Sequence, residues 1–165
     1  MSQPLPYAVL DIDGVLADVR HRLHHLDGRP KDWDAFFAAA PEDPLLAEGL
    51  RRVELLAPTH EVVYLTGRPE RCRADTDAWF RRHGLPDGRL LMRGDHDRRP
   101  ARLTKVEALR RLSQERPVAC VIDDDERVVL AARQAGFTVE LATWMHETAV
   151  QQDTLFDAQE HDGRT

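Results

Sequence analysis

Short apolar runs alternate with longer amphipathic stretches along this chain, and the alternation constrains its fold more than any other feature. Apolar character marks residues 7–10, 61–65, 89–92, 117–122 and 137–141. The stretches between them have helical spacing, most clearly at 45–57, 70–83, 103–115 and 127–134. Nearly continuous apolar strands separated by helices are typical of a parallel sheet covered on both faces. We therefore expect one α/β domain with about five strands.

Two aspartates end the first apolar run. Asp11 and Asp13 follow Leu10, and Gly14 permits a sharp turn behind them. Residues i and i+2 of an extended strand point to the same side, so both carboxylates could face one site. No lysine or arginine stands between them, and such a pair is typical of a Mg²⁺ site. For this pair alone, capping of a turn is an equally good interpretation.

Further polar residues stand at or near the ends of other predicted strands. Thr66 follows the second strand, and Asp123 and Asp124 follow the fourth. Lys105 lies in the first turn of the predicted helix before the fourth strand, where acidic residues are usually favoured. Each of these alone could be a helix cap or a surface residue. Because ligands of an open α/β sheet bind outside the carboxyl ends of its strands, their common position predicts a single functional site.

Composition restricts the class of protein. Of the 165 residues, 42% are hydrophobic and 32% are charged, as expected for a globular domain. No apolar run approaches the ~20 residues that span a bilayer, and the polar start of the chain does not resemble a signal peptide. Cys72 and Cys120, the latter in a predicted buried strand, indicate neither a disulfide framework nor a zinc site. We expect a cytoplasmic protein with one domain over 1–150 and a polar tail over 151–165.

Charge is distributed unevenly along the chain. The net charge of −6 argues against a general polyanion-binding protein. Residues 68–102, however, contain ten arginines and six acidic residues. A mixed, solvated helix face accounts for part of this surplus, and an arginine patch that faces a phosphate group is the sharper alternative.

Four motifs occur in a fixed order along the chain: Asp-Ile-Asp-Gly-Val at 11–15, Leu-Thr-Gly-Arg at 65–68, an isolated lysine at 105 and Val-Ile-Asp-Asp at 121–124. Together they resemble the haloacid dehalogenase (HAD) superfamily of phosphotransferases. More closely still, the chain resembles the phosphatase domain of phage-type polynucleotide kinases. That likeness extends to Arg22, the Trp79 helix ending at Gly84, residues 91–95, Arg99-Pro100 and Val128-Val129. It implies a HAD-like (Rossmannoid) parallel sheet. Enzymes of that superfamily select substrates with inserted cap domains, but here only residues 15–32 separate Gly14 from the predicted helix at Trp33, and one helix fills the segment 67–90. We therefore expect no large cap domain.

The resemblance also implies roles for individual residues. Asp11 would attack phosphorus and form an aspartyl-phosphate, while Asp13 would serve first as general acid and then as general base. The Thr66 hydroxyl would hold a phosphoryl oxygen, and Lys105 would neutralise charge shared by the phosphate and Asp11. The implied Mg²⁺ ligands are Asp11, the Asp13 carbonyl and the pair Asp123 and Asp124, either of which could touch the ion directly. The implied substrate-binding residues are Arg22, Gly67 and Arg68.

The expected reaction is Mg²⁺-dependent removal of 3′-phosphates from nucleic-acid ends. Two departures from the relatives bear on this preference: Ala101 stands where they usually carry an acid, and Asp125-Glu126 replaces an arginine-led pair. A site without a cap suits a bulky nucleic-acid end but also admits small phosphate esters. A 5′-nucleotidase or small-molecule phosphatase of the same superfamily is therefore the second hypothesis, because the first motif also resembles that of deoxynucleotidases.

Two further hypotheses concern signalling and partners. Phospho-acceptor domains of receiver type also combine acids, threonine and lysine on a parallel sheet, but they place the acid pair early, whereas here the double aspartate comes late. A separately encoded kinase or ligase is a possible partner. No Gly-x-x-x-x-Gly-Lys-[Ser/Thr] loop occurs in the sequence, so any kinase activity must lie elsewhere. No membrane partner is expected.

Overall fold

Five parallel strands form one sheet in the computed structural model, which describes residues 3–146. The strands are β1 (Tyr7–Leu10), β2 (Glu61–Pro69), β3 (Arg89–Arg93), β4 (Val118–Asp123) and β5 (Val139–Leu141). Their order across the sheet is β3-β2-β1-β4-β5, so β1 lies at the centre between β2 and β4. The predicted α/β architecture with a parallel five-stranded sheet is confirmed. The predicted tail, 151–165, and residues 147–150 before it lie outside the described part of the chain.

Within residues 3–146, five α-helices connect the strands: α1 (Trp33–Ala38), α2 (Ala47–Leu56), α3 (Arg73–His83), α4 (Ala101–Glu115) and α5 (Glu126–Gln134). Short 3-10 helices cover Arg20–Leu26, Ala40–Glu42 and Glu70–Cys72. Helix α3 ends at Gly84, whose φ of 65° supplies the left-handed turn expected there. Helix α5 begins after Asp125, whose side chain accepts a hydrogen bond from the Arg127 amide. None of the described helices is long and apolar enough to cross a lipid bilayer.

Helices bury both faces of the sheet, because successive residues of a strand point to opposite sides. On one face, Leu109 of α4 packs with Val9 of β1, and α5 lies beside α4. On the other face, Val53 of α2 and Trp79 of α3 pack with Leu10. Each of these side chains is at most 1% exposed, and complete burial of one such side chain contributes about 2 kcal/mol. The two apolar layers therefore bury β1 on both faces at the centre of the domain.

The segment between β1 and α2 forms a small helical layer with its own apolar cluster. The clustered side chains include Leu23 of the first 3-10 helix and Trp33, Phe36 and Phe37 of α1. The three aromatic rings contact one another, with centroids 5.4–5.8 Å apart. Within the described chain no separate cap domain is inserted, as the short segments after Gly14 and Gly67 predict.

Helix α4 begins two residues earlier than the sequence pattern predicts. Its first residue is Ala101, directly after Pro100, rather than residue 103. The Pro100 carbonyl accepts hydrogen bonds from the amides of Leu103 and Thr104, which draws the preceding residues into the first turn. Lys105 therefore lies in the second turn of α4, and the prediction that it lies in the first is wrong.

Strand β4 is buried only in its second half, although the sequence predicts burial throughout. Cys120 is half-buried and Ala119 is exposed. The reason is that β5 pairs only with Val121–Asp123, so the earlier residues of β4 have a neighbouring strand on one side only. Strand β5 itself starts at Val139 rather than 137, and the start of the predicted helix 70–83 is the 3-10 helix Glu70–Cys72.

Helix α2 lies directly against the turn that follows β1. A Cβ atom added to Gly49 would lie 1.9 Å from the carbonyl oxygen of Val15, so only glycine allows this approach. The Leu46 amide donates a hydrogen bond of 2.7 Å to the carbonyl of Leu16. The turn is thus held between the sheet and α2.

Candidate active site

Strands β1 and β4 bring three carboxylates together at the carboxyl edge of the sheet. Asp11 directly follows β1, Asp123 is the last residue of β4, and Asp124 comes next. One oxygen from each side chain lies within 4.8 Å of the others, and all three residues are buried. Because β1 and β4 are neighbours in the sheet, residues more than a hundred positions apart in the sequence share one site.

Lys105 connects two of these carboxylates. Its Nζ lies 2.8 Å from Asp11 Oδ2 and 2.7 Å from Asp123 Oδ2. The lysine is 3% exposed, so both ion pairs are shielded from water. Lys105, on helix α4, thus places one positive charge beside the three carboxylates.

Backbone amides and a glycine fix the acidic side chains. Asp11 Oδ1 accepts a hydrogen bond from the Ile12 amide at 2.7 Å, and Asp123 Oδ1 accepts one from the Asp125 amide at 3.0 Å. Gly14 has a φ of 80°, and a Cβ atom there would lie 1.8 Å from Asp124 Oδ2. The turn after Asp13 therefore requires glycine both for its backbone conformation and for the space that Asp124 occupies.

The electrostatics of this cluster fit a divalent cation. Burial raises the pKa of Asp11 to about 7; Lys105 opposes this rise, and the charge of Asp123 adds to it. Burial, followed by the charges of Asp11 and Asp123, raises the pKa of Asp124 well above its usual value. One lysine thus does not compensate three converging acids. Buried carboxylate oxygens are the donors that Mg²⁺ prefers, so the donor set suits this ion.

A second buried cluster surrounds Asp13. Its Oδ1 accepts hydrogen bonds from Arg22 Nη2 at 2.9 Å and from Arg68 Nε and Nη2 at 2.9 and 2.6 Å. Its Oδ2 is also buried but has no hydrogen-bond partner among the described residues. Burial alone would raise the pKa of Asp13, but Arg68 and then Arg22 outweigh it and lower that pKa. Asp13 is therefore ionised in the arrangement seen here.

Asp43, which is not among the residues predicted from the sequence, completes this second cluster. Its Oδ2 accepts hydrogen bonds from Arg22 Nη2 at 2.7 Å and Arg68 Nη2 at 2.9 Å. Its backbone carbonyl accepts one from Trp79 Nε1 at 2.9 Å. Its position in a turn flanked by prolines gives no sequence signal for this role. Two arginines and two aspartates thus form one buried network.

Arg22 and Arg68 are both buried, with 0% and 1% exposure, and both point at Asp13. The guanidinium of Arg22 also lies 4.1 Å from the centroid of the Phe36 ring. The structure therefore places these two predicted substrate-binding residues beside the predicted acid and base. In this arrangement both guanidinium groups donate hydrogen bonds to the carboxylates of Asp13 and Asp43.

Thr66 and Gly67 lie within β2, which continues to Pro69. Thr66 Oγ1 accepts a hydrogen bond from the Arg68 amide at 3.1 Å, which leaves its own proton available for an acceptor such as a phosphate oxygen. Thr66 and Lys105 line the same cleft of about 360 Å³, and Gly67 lines a small cavity beside it.

Much of the arginine surplus in residues 68–102 is compensated locally. The ion pairs that do so are Arg73 with Glu70, Arg89 with Glu115, Arg99 with Asp97 and Glu107, and Arg71 with Asp34. Mixed ion pairs on the surface therefore explain a large part of the surplus.

The sequence profile of one protein family covers most of the chain. Residues 6–143 match the profile described as the polynucleotide kinase PNKP phosphatase domain of HAD type. No curated protein sequence matches the chain.

Several solved structures share the fold. One chain from the Pnkp1/Rnl/Hen1 RNA repair complex superposes with a TM-score of 0.70 at 22% identity, and the match covers 85% of this chain but 44% of that one. A second structure of the Pnkp1/Rnl/Hen1 complex gives 0.68 at 24% identity, covering 85% and 47%. The chain thus spans less than half the length of these relatives.

A HAD-like hydrolase from Streptococcus pneumoniae gives a TM-score of 0.60 at 13% identity and covers 91% of this chain and 90% of its own. At such identities these structures establish a shared fold. The profile match, in contrast, establishes the family, because it extends over residues 6–143. The chain belongs to the family of polynucleotide kinase phosphatase domains within the HAD superfamily.

Proposed function

We propose that the chain is a Mg²⁺-dependent phosphomonoesterase that removes 3′-phosphates from nucleic-acid ends through an aspartyl-phosphate. Its family supports a phosphatase of the HAD superfamily. One observation carries the proposed chemistry: the side chains of Asp11, Asp123, Asp124 and Lys105 lie together in one buried cluster. A nucleophilic carboxylate beside a lysine and two further acids suits attack on an anionic phosphate once a divalent cation is bound.

Asp11, Asp123, Asp124 and the carbonyl of Asp13 would hold Mg²⁺. When bound, the ion would supply positive charge that offsets repulsion between the substrate phosphate and the carboxylates. Asp11 would then be ionised, because an adjacent cation lowers the raised pKa of its carboxyl group.

Asp11 would act as the nucleophile. A bond forms from an Asp11 carboxylate oxygen to phosphorus while the bond between phosphorus and the leaving oxygen breaks. Lys105, which already contacts Asp11 Oδ2, would remain beside the transferred group as its counter-charge. Water then attacks the aspartyl-phosphate, which releases inorganic phosphate and restores Asp11.

Asp13 would exchange the proton in both steps. It would donate a proton to the leaving oxygen and then take one from the attacking water. Its buried Oδ2 is the available atom, since Oδ1 already accepts hydrogen bonds from both arginines. A substrate phosphate that draws Arg22 and Arg68 toward itself would remove the cause of the lowered pKa and allow Asp13 to carry the proton.

Nucleic acid is the proposed substrate because the family is that of polynucleotide kinase phosphatases. A separately encoded kinase or ligase is a proposed partner. The support for it is that related folds occur in the Pnkp1/Rnl/Hen1 complex, in chains more than twice as long as the matched region.

The decisive test measures Mg²⁺-dependent phosphate release from four substrates: 3′-phosphorylated and 5′-phosphorylated oligonucleotides, nucleoside monophosphates and a generic phosphate ester. We expect the 3′-phosphorylated oligonucleotide to react fastest, with no release in an Asp11→Asn variant of unchanged fold. Equal, slow rates on all four would exclude the proposed substrate. Preference for a 5′-monophosphate would favour a nucleotidase instead. An aspartyl-phosphate that persists for minutes would indicate a signalling domain.

A further inference from the structure

Arg93, the last residue of β3, is a buried cation with an incomplete set of partners. It is 6% exposed. Its Nη1 donates a hydrogen bond to the Arg99 carbonyl at 2.7 Å, and its Nη2 donates one to Thr104 Oγ1 at 3.3 Å. Its Nε is buried and has no partner among the described residues. A guanidinium donor that burial removes from water without a partner is costly, so this geometry requires an explanation.

No ion pair within residues 3–146 involves Arg93. Two nearby arginines contact carboxylates: Arg73 pairs with Glu70 and Arg99 pairs with Asp97. Arg93, in contrast, contacts only uncharged oxygens. Burial lowers the pKa of Arg93 to about 10, which still leaves the group charged at neutral pH. The negative charge of Asp97 acts on Arg93, but the Asp97 carboxylate is already paired with Arg99 at 2.7 Å. A buried cation that forms no ion pair of its own is the feature of an anion site rather than of a structural ion pair.

The start of helix α4 adds to this positive potential. The helix begins beside Arg93, since Arg99 and Thr104, which accept its hydrogen bonds, flank the first turn. Pro100 at the N-cap offers no side-chain hydrogen bond, and the first turn contains no acidic residue. The N-terminal end of a helix carries partial positive charge and attracts anions, so a basic neighbour there is unfavourable unless an anion lies between them.

The position of Arg93 connects this feature to the active site. Arg93, Thr66 and Lys105 line the same cleft of about 360 Å³, and its walls also include Leu91 and Ala108. Arg93 pairs in register with Pro69 of β2, two residues beyond Gly67. The cleft follows β3, the edge strand of the sheet, so it leads from the reacting groups toward the outside of the domain.

We propose that Arg93, together with the first turn of α4, binds the phosphodiester adjacent to the terminal 3′-phosphate of a polynucleotide. Arg93 is then the residue that distinguishes a polynucleotide end from a mononucleotide, and the inference rests on the proposed function. A guanidinium fork suits a phosphodiester oxygen, and Nε is the donor still available for it.

The first test uses the unmodified chain and substrates of increasing length. A nucleoside 3′-monophosphate has only the terminal phosphate, whereas a 3′-phosphorylated dinucleotide adds one phosphodiester. We expect kcat/KM to rise about tenfold or more between these two substrates, mainly through KM, and to change much less with further nucleotides. Equal kcat/KM for the two substrates, with Mg²⁺-dependent turnover of both, would overturn the assignment of Arg93 while leaving the phosphatase intact. No turnover of either would overturn the proposed function itself.

The second test uses substitutions and a readout that a purely structural role would not change. Arg93→Gln is expected to lose about tenfold more kcat/KM on the dinucleotide than on the monophosphate, and Arg93→Lys to recover part of that difference. Arg110→Gln, which removes the same charge from an exposed position on α4, serves as the matched control. Equal losses of Arg93→Gln on both substrates would show that Arg93 only supports the loop before α4, and would overturn the proposal.

Binding supplies a measurement independent of turnover. In the Asp11→Asn background, we expect Arg93→Gln to reduce by about one the slope of log Kd against log salt for a 3′-phosphorylated oligonucleotide. An unchanged slope would contradict a phosphate contact at Arg93.

Discussion

Asp43 Oδ2 accepts a hydrogen bond from Arg68 Nη2 at 2.9 Å, although the two residues come from different structural layers. Asp43 lies beyond the short helical segment after β1, whereas Arg68 is part of β2. The same Arg68 atom lies 2.6 Å from Asp13 Oδ1. A residue outside the four sequence motifs therefore holds a guanidinium group against the predicted acid and base.

Substitution of Asp43 by asparagine should reduce both stability and turnover. It removes one negative charge from a buried network with two arginines, and breaking such a pair costs on the order of 3 kcal/mol. It also frees Arg22 and Arg68 to shift relative to Asp13, so kcat should fall about tenfold or more. Urea unfolding and steady-state kinetics measure the two effects.

Asp34→Asn is the matched control for this substitution. Asp34 forms an ion pair with Arg71 at 3.2 Å, but its side chain is 91% exposed. Exposed pairs contribute about 0–1 kcal/mol, so both stability and kcat should remain close to those of the unchanged chain. Similar losses in the two variants would contradict the role assigned to Asp43.

Gly14→Ala should abolish activity, whereas Gly84→Ala should not. Both glycines have positive φ, so each substitution introduces backbone strain of about 1 kcal/mol. Only at Gly14 would the new Cβ meet another group, Asp124 Oδ2 at 1.8 Å, while Gly84 has open space around it. Thermal unfolding and phosphate release separate strain from displacement of Asp124. Normal turnover in Gly14→Ala would show that the position of Asp124 is not needed.

The stabilisation of the fold by Mg²⁺ should increase with pH. The pKa of Asp11 in the folded chain is about 7, above the ordinary value of 3.8 expected when unfolded. The fold therefore favours protonated Asp11, and without metal its contribution to stability decreases as pH rises from about 4 to about 7. Mg²⁺ binds the ionised form, so its effect on Tm should be larger at about pH 8 than at about pH 5.5. The control is NaCl at matched ionic strength. An equal gain in Tm at both pH values would exclude Asp11 as a ligand.

Lys105→Met should destabilise the metal-free chain more than the Mg²⁺-bound chain. The substitution leaves Asp11 and Asp123 without the cation that contacts both, and loss of one partner of a buried pair costs about 3–5 kcal/mol. Added Mg²⁺ should recover more stability than it does in the unchanged chain. The double variant with Asp11→Asn should lose less than the sum of the two single losses, because it removes both opposite charges. Additive losses would show that the two side chains do not interact.

The sequence predicts the parts of the fold that depend on local pattern. Apolar runs mark all five strands, and Gly84 marks the end of α3, because strand burial and helix capping leave direct traces in the sequence. The sequence also predicts that Asp11, Thr66 and Asp123 lie at one edge of the sheet, since parallel strands share their carboxyl edge. The roles of these residues, the bound ion, the substrate and the cytoplasmic location remain predictions.

Features that depend on long-range packing could not be predicted. Asp43 joins the site only because Trp79 and two arginines meet it in three dimensions, and no local pattern indicates this. The partial exposure of Cys120 likewise follows from the short strand β5, which pairs with β4 only from Val121 onward. Helix α4 begins earlier than the sequence predicts because the Pro100 carbonyl accepts hydrogen bonds from the amides of Leu103 and Thr104.

The contact between Gly49 and the carbonyl of Val15 has a consequence for variation in this chain. Helix α2 contributes no group to the proposed chemistry, yet its backbone leaves no room for a methyl group between itself and the turn at Val15. Any side chain at position 49 would have to displace Val15 and Leu16, and with them the turn that follows Asp11 and Asp13, so the geometry of the proposed active site would change. Random mutagenesis screened for inactive but folded chains should therefore recover changes in α2, a helix that sequence motifs alone would leave out of the search.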